Sequence, residues 1–248
     1  MDKLLGPFVE LPEEIARSLS EEGFVVLPNM ADSETLLMLR TAFDDLVTSE
    51  GENAAHEHHQ EAGVHRIANL VNKGRIFKNA WCHPLILSCC SHMFGRPFKL
   101  SSINGREALL GGGHQPLHSD WKGERGPVDS AHSCNALWAV DGLTIRNGGP
   151  RLVPGSNRIA GRPENFMDDP HEAHPEEIVA TAPAGSVVMI NAHTWHAGTT
   201  NQSGERRRVL HALYTAREHD QQQNQQRWVT DESRAWLSAE QRWLLDVD

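Results

Sequence analysis

The feature that most restricts the fold is a change in the grain of the sequence near residue 97. Before it, apolar residues recur every three or four positions. From Phe98 to Arg217 they come instead in short β-branched or alternating runs separated by Gly, Pro, Asn and Asp. The first pattern belongs to helices with one buried stripe, the second to strands. Lys99–Ala108, Pro116–Trp121, Asn135–Val140, Arg151–Pro154, Glu177–Ala180, Ser186–Asn191 and Arg206–Thr215 are the expected strands. Short strands at this spacing favour a closed or double-sheet β structure over βαβ units. Helices first and strands second give an α+β class with a mainly β core.

The 248 residues, 39% of them hydrophobic, suit one large domain with a sizeable core. A helical part over about 11–95 is expected to open it. Pro12, Glu13 and Glu14 start a helix that Gly23 stops, and Phe24–Leu27 follows as a buried strand. Asp32 or Ser33 caps a second helix whose Leu36, Leu39, Phe43 and Leu46 form one stripe. The polar, His-rich stretch Glu50–Gly63 reads as a solvated loop, and Pro84–Phe94 as a third helix ended by Gly95. After the β core at about 97–217, Gln221–Gln226 reads as a polar linker unable to pack. It leads to a helix capped by Asp231 that carries Trp236 and Trp243 on one face.

The net charge of −10 argues against a nucleic-acid or anionic-membrane binder. Met1–Glu10 shows no apolar signal region, and no run of 18 apolar residues exists to span a membrane. Cys82, Cys89, Cys90 and Cys134 have no disulfide-framework spacing, so a reduced cytoplasmic setting is expected. The sequence says nothing about oligomeric state.

The compositional oddity is 15 histidines beside a single tyrosine. Histidine is the commonest metal ligand. On a strand, residues i and i+2 share a face, so His118-Ser-Asp120 can grip one ion from one side. Chance alone supplies roughly one such pair in a chain of this composition, so context must decide. His59-x-Glu61 and His174-x-Glu176 lie in polar loops, whereas His118 follows the Gly111-Gly-Gly-His114 turn into an expected strand. The later strand Ser186–Asn191 leads into His193-Thr-Trp-His196, which offers a second histidine at either position. Two histidines and one carboxylate make the facial triad that leaves positions of an octahedral Fe(II) open. Eleven residues past His196 lies Arg207, a guanidinium able to clamp a carboxylate. Within Arg206–Arg208, a strand turns only the middle residue to the opposite face.

The strings Gln115-Pro-Leu-His-Ser-Asp-Trp121, Asn147-Gly-Gly-Pro-Arg-Leu-Val-Pro-Gly-Ser156, Ala184-Gly-Ser-Val-Val188 and His196-Ala-Gly-Thr-Thr-Asn-Gln-Ser203 with Arg207, taken in order, resemble the phytanoyl-CoA dioxygenase family of Fe(II)/2-oxoglutarate oxygenases. The likeness covers roughly residues 12 to 216. It implies a double-stranded β-helix, a cupin-like jelly roll, with flanking N-terminal helices and a C-terminal helix. It implies iron on His118, Asp120 and His196, with O2 and the co-substrate 2-oxoglutarate reaching the metal and the far carboxylate of 2-oxoglutarate on Arg207. Trp138 is expected to pack against the co-substrate, and Asn104 to offer it a polar contact. Family members often carry Ser two residues past the distal histidine. Gly198 stands there in this chain, so Thr200, Ser203 or a water is expected to take the place of the hydroxyl.

By the same resemblance the activity is hydroxylation of an unactivated C–H bond of a small metabolite or natural-product intermediate, with release of succinate and CO2. The retained Asp120 disfavours halogenation. Arg106, Trp121, Lys73 and His132 are the candidate substrate contacts. Two other classes share the pattern: a cupin-like metal protein working without 2-oxoglutarate, and a non-catalytic binding protein on the same roll.

Overall fold

A computed structural model describes residues 9–56, 60–123 and 130–247. The reading of Met1–Glu10 falls almost wholly outside them, as do His58 and His59 of the His-rich loop.

The chain runs α1 (Glu13–Glu21), β1 (Phe24–Leu27), α2 (Ser33–Glu50), β2 (Val64–Ile67), α3 (Lys78–Cys82), α4 (Pro84–Phe94), β3 (Phe98–Ala108), β4 (Ser133–Ala139), β5 (Arg151–Leu152), β6 (Ile178–Val179), β7 (Val187–Asn191), β8 (His196–Ala197), β9 (Arg208–Ala216), α5 (Gln225–Trp228), α6 (Asp231–Trp236) and α7 (Ala239–Leu245). The caps account for the helix limits. Asp32 Oδ1 accepts from the amide of Thr35 at 2.8 Å to start α2, and Gly95 at φ 57° ends α4.

Two antiparallel sheets face each other, as a cupin-like roll requires. One has six strands in the order β1-β7-β4-β9-β3-β2, the other three in the order β6-β5-β8. The pleat sorts the large sheet's side chains. Ala136, Trp138, Met189, Leu210, Ala212 and Tyr214 point to the helices and meet Trp81, Ile86, Cys90 and Phe94. Tyr214 Oη donates to the Trp81 carbonyl at 2.8 Å and Trp138 Nε1 to that of Ala80 at 2.9 Å, so the two buried polar tips are satisfied. On the other face Leu137, Ala139, Val188, Ile190 and Val209 pack against Leu152, Ala180 and Ala182 of the small-sheet side.

Three expectations need correction, and one strand was not foreseen. Pro116–Trp121 is not a strand; only His118 pairs, in one bridge to His196. A short strand, Val64–Ile67, adjoins the loop instead and adds to the edge of β3. The Gln-rich segment is docked. Gln221 Nε2 donates to the carbonyls of Leu100 and Leu245 at 2.8 Å, and the Gln222 amide to Ser101 Oγ at 2.7 Å. Backbone and hydroxyl partners on β3 supply what apolar packing does not. Finally, the terminal helix is two helices, α6 capped by Thr230 and α7 by Ser238, with Leu237 extended between them.

Candidate metal centre and adjoining cavity

The three metal-binding candidates come from the small sheet and its continuation. β8 holds His196, and the bridge to His118 sets that residue beside it, with ring centroids 4.6 Å apart. Asp120, whose amide donates to the Ala192 carbonyl at 2.9 Å, lies between them. Its Oδ1 is 3.6 Å from His118 Nε2 and its Oδ2 is 3.6 Å from His196 Nε2. One atom from each residue falls within 4.8 Å of the others, close enough to share an ion.

Both histidines are oriented by backbone carbonyls. His118 Nδ1 donates to Pro116 O and His196 Nδ1 to Thr194 O, each at 2.8 Å. A carbonyl can only accept, so Nδ1 carries a proton in both rings and Nε2 faces the carboxylate, a donor in the protonated ring and a free lone pair for a metal in the neutral one. Burial would push the Asp120 carboxyl up, but the His196 charge and the hydrogen bonds from His118 and Asn135 hold it below the usual range. Burial pushes His196 down. His118 is raised: its burial acts downward, and Asp120 outweighs it. His193 is turned elsewhere, its Nε2 accepting from the His132 amide at 3.3 Å.

The triad opens on a cavity of about 180 Å³ whose other wall is the inner face of the large sheet. Three guanidiniums reach one end. Arg66 and Arg106 sit opposite each other in the β2–β3 register and share Glu61, which accepts from Arg66 Nη2 at 2.7 Å and from Arg106 Nε at 3.1 Å. Burial would push the Glu61 carboxyl up; the two arginines instead bring it down to about 2. Arg207 is 1% exposed, and its Nε and Nη1 are buried with no hydrogen-bond partner. Among the described residues no carboxylate lies within ion-pair distance of it. Burial, then repulsion from Arg106, pushes it down to about 9. A buried cation with unspent donors at the end of a cavity is a receptor for an anion.

Arg207 turns inward because its neighbours are held outward. Arg206 pairs with Asp44 and Glu107; Arg208 Nε donates to Asp141 at 2.8 Å.

The remaining sequence candidates divide. Asn104 and Arg106 line the cavity. Asn104 is already engaged, accepting from the Asn69 amide and donating to Ser102 Oγ, both at 3.3 Å. Trp138 does not line it: the pleat turns Asn135 and Leu137 to the cavity and Trp138 to the helices. Thr200 and Ser203 are also elsewhere. The pairing of Leu110 with Asn201 carries the chain away after Gly198, and Ser203 Oγ donates to Asn201 Oδ1 at 3.0 Å. Gly198 itself leaves no room for a side chain, since an added Cβ would lie 2.5 Å from the Gly113 carbonyl and 3.1 Å from Gln115 Oε1. Lys73 is bound to Glu50 at 2.7 Å. Trp121 and His132 stack on each other, centroids 4.6 Å apart, and Trp121 lines a separate hollow with Lys122 and Arg162.

Arg66, Gln115, Asn135, His211 and Gln222 also line the cavity, and nothing in the sequence reading above points to them as site residues. An arginine at the centre of the alternating run Val64–Ile67 was the available signal for Arg66. Gln222 gave none, since it sits in a run of glutamines.

The roll, the triad and the isolated arginine define an oxygenase of the iron and 2-oxoglutarate type. The phytanoyl-CoA dioxygenase (PhyH) family model matches residues 19–209, and the chain belongs to this family. Among curated relatives it is similar to dioxygenase andF of Emericella variicolor, at 26% identity over 84% of this chain and 75% of that one. It is also similar to dioxygenase trt7 of Aspergillus terreus, at 24% identity over 80% and 71% respectively. Of solved structures, the 2-oxoglutarate-dependent carbocyclase SnoK of nogalamycin biosynthesis shares the fold with a TM-score of 0.67 and 20% identity, over 92% of each chain. HygX from Streptomyces hygroscopicus, seen with nickel, 2-oxoglutarate and hygromycin B, does so with a TM-score of 0.66 and 15% identity, over 85% and 90%. Among the described residues no helix is long and apolar enough to cross a membrane.

Proposed function

We propose that this dioxygenase uses Fe(II), 2-oxoglutarate and O2 to hydroxylate an unactivated C–H bond of a small natural-product-like molecule. The balance is R–H + 2-oxoglutarate + O2 → R–OH + succinate + CO2. The carrying observation is the pairing of a two-histidine, one-carboxylate triad with an unpartnered guanidinium at the end of the same cavity.

His118, Asp120 and His196 would hold the iron, whose open positions supply O2 activation with the co-substrate. Arg207 takes the far carboxylate of 2-oxoglutarate, with Arg106 and Gln115 at its side. Leu137 and Leu213 line the same cavity and help to exclude water from it. Asp120 keeps the position that a halide would need, which favours hydroxylation over halogenation. The named biosynthetic roles of SnoK and the antibiotic bound to HygX support a small-molecule substrate. The four free thiols suit the reducing cytoplasm.

Anaerobic Fe(II) and 2-oxoglutarate are expected to give a visible metal-to-ligand charge-transfer band, and a screen of metabolite pools to give succinate release above the uncoupled rate. A reconstituted protein without the band would sink the reading. Full turnover by Arg207→Ala without 2-oxoglutarate would instead favour a 2-oxoglutarate-independent metal protein.

A further inference from the structure

The cavity is polarised, and its second pole has no role in the chemistry above. The register of the large sheet lays its side chains out in rows. Ser102 and Asn135 flank Leu213 from β3 and β4; Asn104 and Leu137 flank His211 in the next row. Arg66 and Arg106 come one row further on. One end is therefore cationic, and the other presents a hydroxyl and neutral amides.

The amide end adjoins the metal site, because Asn135 Nδ2 donates to Asp120 Oδ2 at 3.4 Å. Asn135 is 7% exposed and its Oδ1 is buried without a partner. Gln222, reaching the same wall from the C-terminal segment, accepts from Ser102 Oγ at 2.6 Å through its Oε1. That bond fixes the amide and leaves its Nε2 hydrogens as donors. The segment is fastened at the bulge of β3, where the register shifts between Leu100 and Ser102. Ser101, freed from the ladder there, receives the Gln222 amide on its Oγ and the Gln223 amide on its carbonyl, at 2.7 and 3.1 Å. The family match covers residues 19–209, so Ser102 and Asn135 lie within it and the segment that brings Gln222 lies beyond it.

We propose that Gln222, with Ser102 and Asn135, is the specificity-determining element for the primary substrate, and that the substrate turns a neutral, hydroxyl-bearing face to it. This rests on the iron and 2-oxoglutarate reading, which assigns the cationic end to the co-substrate. A fixed donor and an unsatisfied acceptor lining one cavity are matched by a hydroxyl, which both donates and accepts. An anion there would meet the Asn135 oxygen and the Asp120 carboxylate. A cation would share a small cavity with three guanidiniums.

The test uses Ni(II)- and 2-oxoglutarate-loaded protein, which cannot turn over, and saturation-transfer NMR with three six-membered-ring probes. These are neutral methyl β-D-glucopyranoside, anionic cyclohexylacetate and cationic cyclohexylmethylammonium. The glucoside is expected to bind best. Gln222→Leu should weaken it by about five-fold, the scale of one neutral hydrogen bond, while 2-oxoglutarate affinity stays within about two-fold. Gln222→Glu should shift the preference to the ammonium probe. Preference for either charged probe by the native protein, or unchanged glucoside binding in Gln222→Leu, overturns the proposal. So does an equal loss of 2-oxoglutarate affinity in that variant, which would make Gln222 a co-substrate contact. The saturation signal of 2-oxoglutarate itself reports whether the co-substrate site exists, so its failure is seen separately.

Discussion

The two sheets facing the cavity are built on opposite terms. In the large sheet, strands of up to 11 residues pair in long ladders, with helices packed behind them. In the small sheet the strands are two residues long, and His118 joins through a single bridge. All three metal-ligand candidates belong to the second arrangement, and all three arginines of the cavity to the first or its edge. What the small sheet lacks in ladder it makes up from behind. Trp195 is buried beside Phe166 and His174, and its amide donates to Ser156 Oγ at 2.8 Å. Arg151 donates to the carbonyls of Glu172 and Pro170 at 2.8 Å and to Glu177 at 3.1 Å, stapling the 153–177 connection over the outer face. The long ladders position charge, and the stapled short ones position the candidate metal ligands.

The largest expected effect separates metal binding from folding. Asp120→Ala should lower Fe(II) affinity by more than about 100-fold, beyond what loss of a supporting contact does, with no loss of thermal stability in the metal-free protein. Isothermal titration and a melt of the metal-free variant check both halves. A destabilised apoprotein would show that the carboxylate holds the small sheet together.

Arg207 gives the next largest. Replacing it by Met removes a two-pronged charged contact, so 2-oxoglutarate affinity should fall by about 100-fold, equivalent to about 3 kcal/mol. A buried guanidinium with no counter-ion weakens the fold, so the same variant should melt at or above the native temperature. A lower Tm together with native 2-oxoglutarate binding would show that Arg207 is a structural cation.

The contrast between the sheets is tested by a matched pair. Leu210, fully buried on β9, should cost about 3 kcal/mol when cut to Ala and leave Fe(II) affinity unchanged. Arg151→Ala should cost about 2–3 kcal/mol by removing its four hydrogen bonds, to Gln115, Pro170, Glu172 and Glu177, and should also weaken Fe(II) by about ten-fold as the backing of His118 and His196 loosens. Denaturant melts and metal titrations on both variants decide it. Equal metal affinities would mean that the short strands hold the ligands without their outer support.

The same contrast explains what the sequence could disclose. β3, β4, β7 and β9 were legible because long strands repeat their pattern many times. The segment Pro116–Trp121 has the composition of a strand, yet one bridge is all it forms, and its geometry depends on β8, 78 residues away. The two histidines and the aspartate were readable as an ordered set, since their chemistry survives the absence of a regular element. Trp138 failed by one step of the pleat, because an aromatic in a strand buried on both faces carries no mark of which face is which. Thr200 and Ser203 failed because spacing along the chain cannot show that Asn201 bends it away. The glutamine run looked unstructured because amide hydrogen bonds to a bulge leave no hydrophobic pattern.

The smallest expected effect lies at the edge of the large sheet, where Glu61 serves two arginines. Its folded-state carboxyl is lowered to about 2 from an ordinary 4.5, so its contribution is complete above the ordinary value. It is lost as pH falls from about 4.5 toward about 2. The charged contacts are partly screened, and about 1–2 kcal/mol is at stake. Stability measured by urea melts should decline across that window in the native protein and decline less in Glu61→Gln, which has no proton to take up. At neutral pH the variant should be less stable by a similar amount, because Arg66 and Arg106 are left without their shared carboxylate. If both proteins lose stability in parallel below pH 4.5, the acid sensitivity belongs to other carboxylates, with Asp141 beside Arg208 the first to try, since Arg208 also holds its carboxyl low against the upward push of burial. That outcome would move the acid-labile point of the large sheet from its β2 edge to the start of β9, next to Arg207.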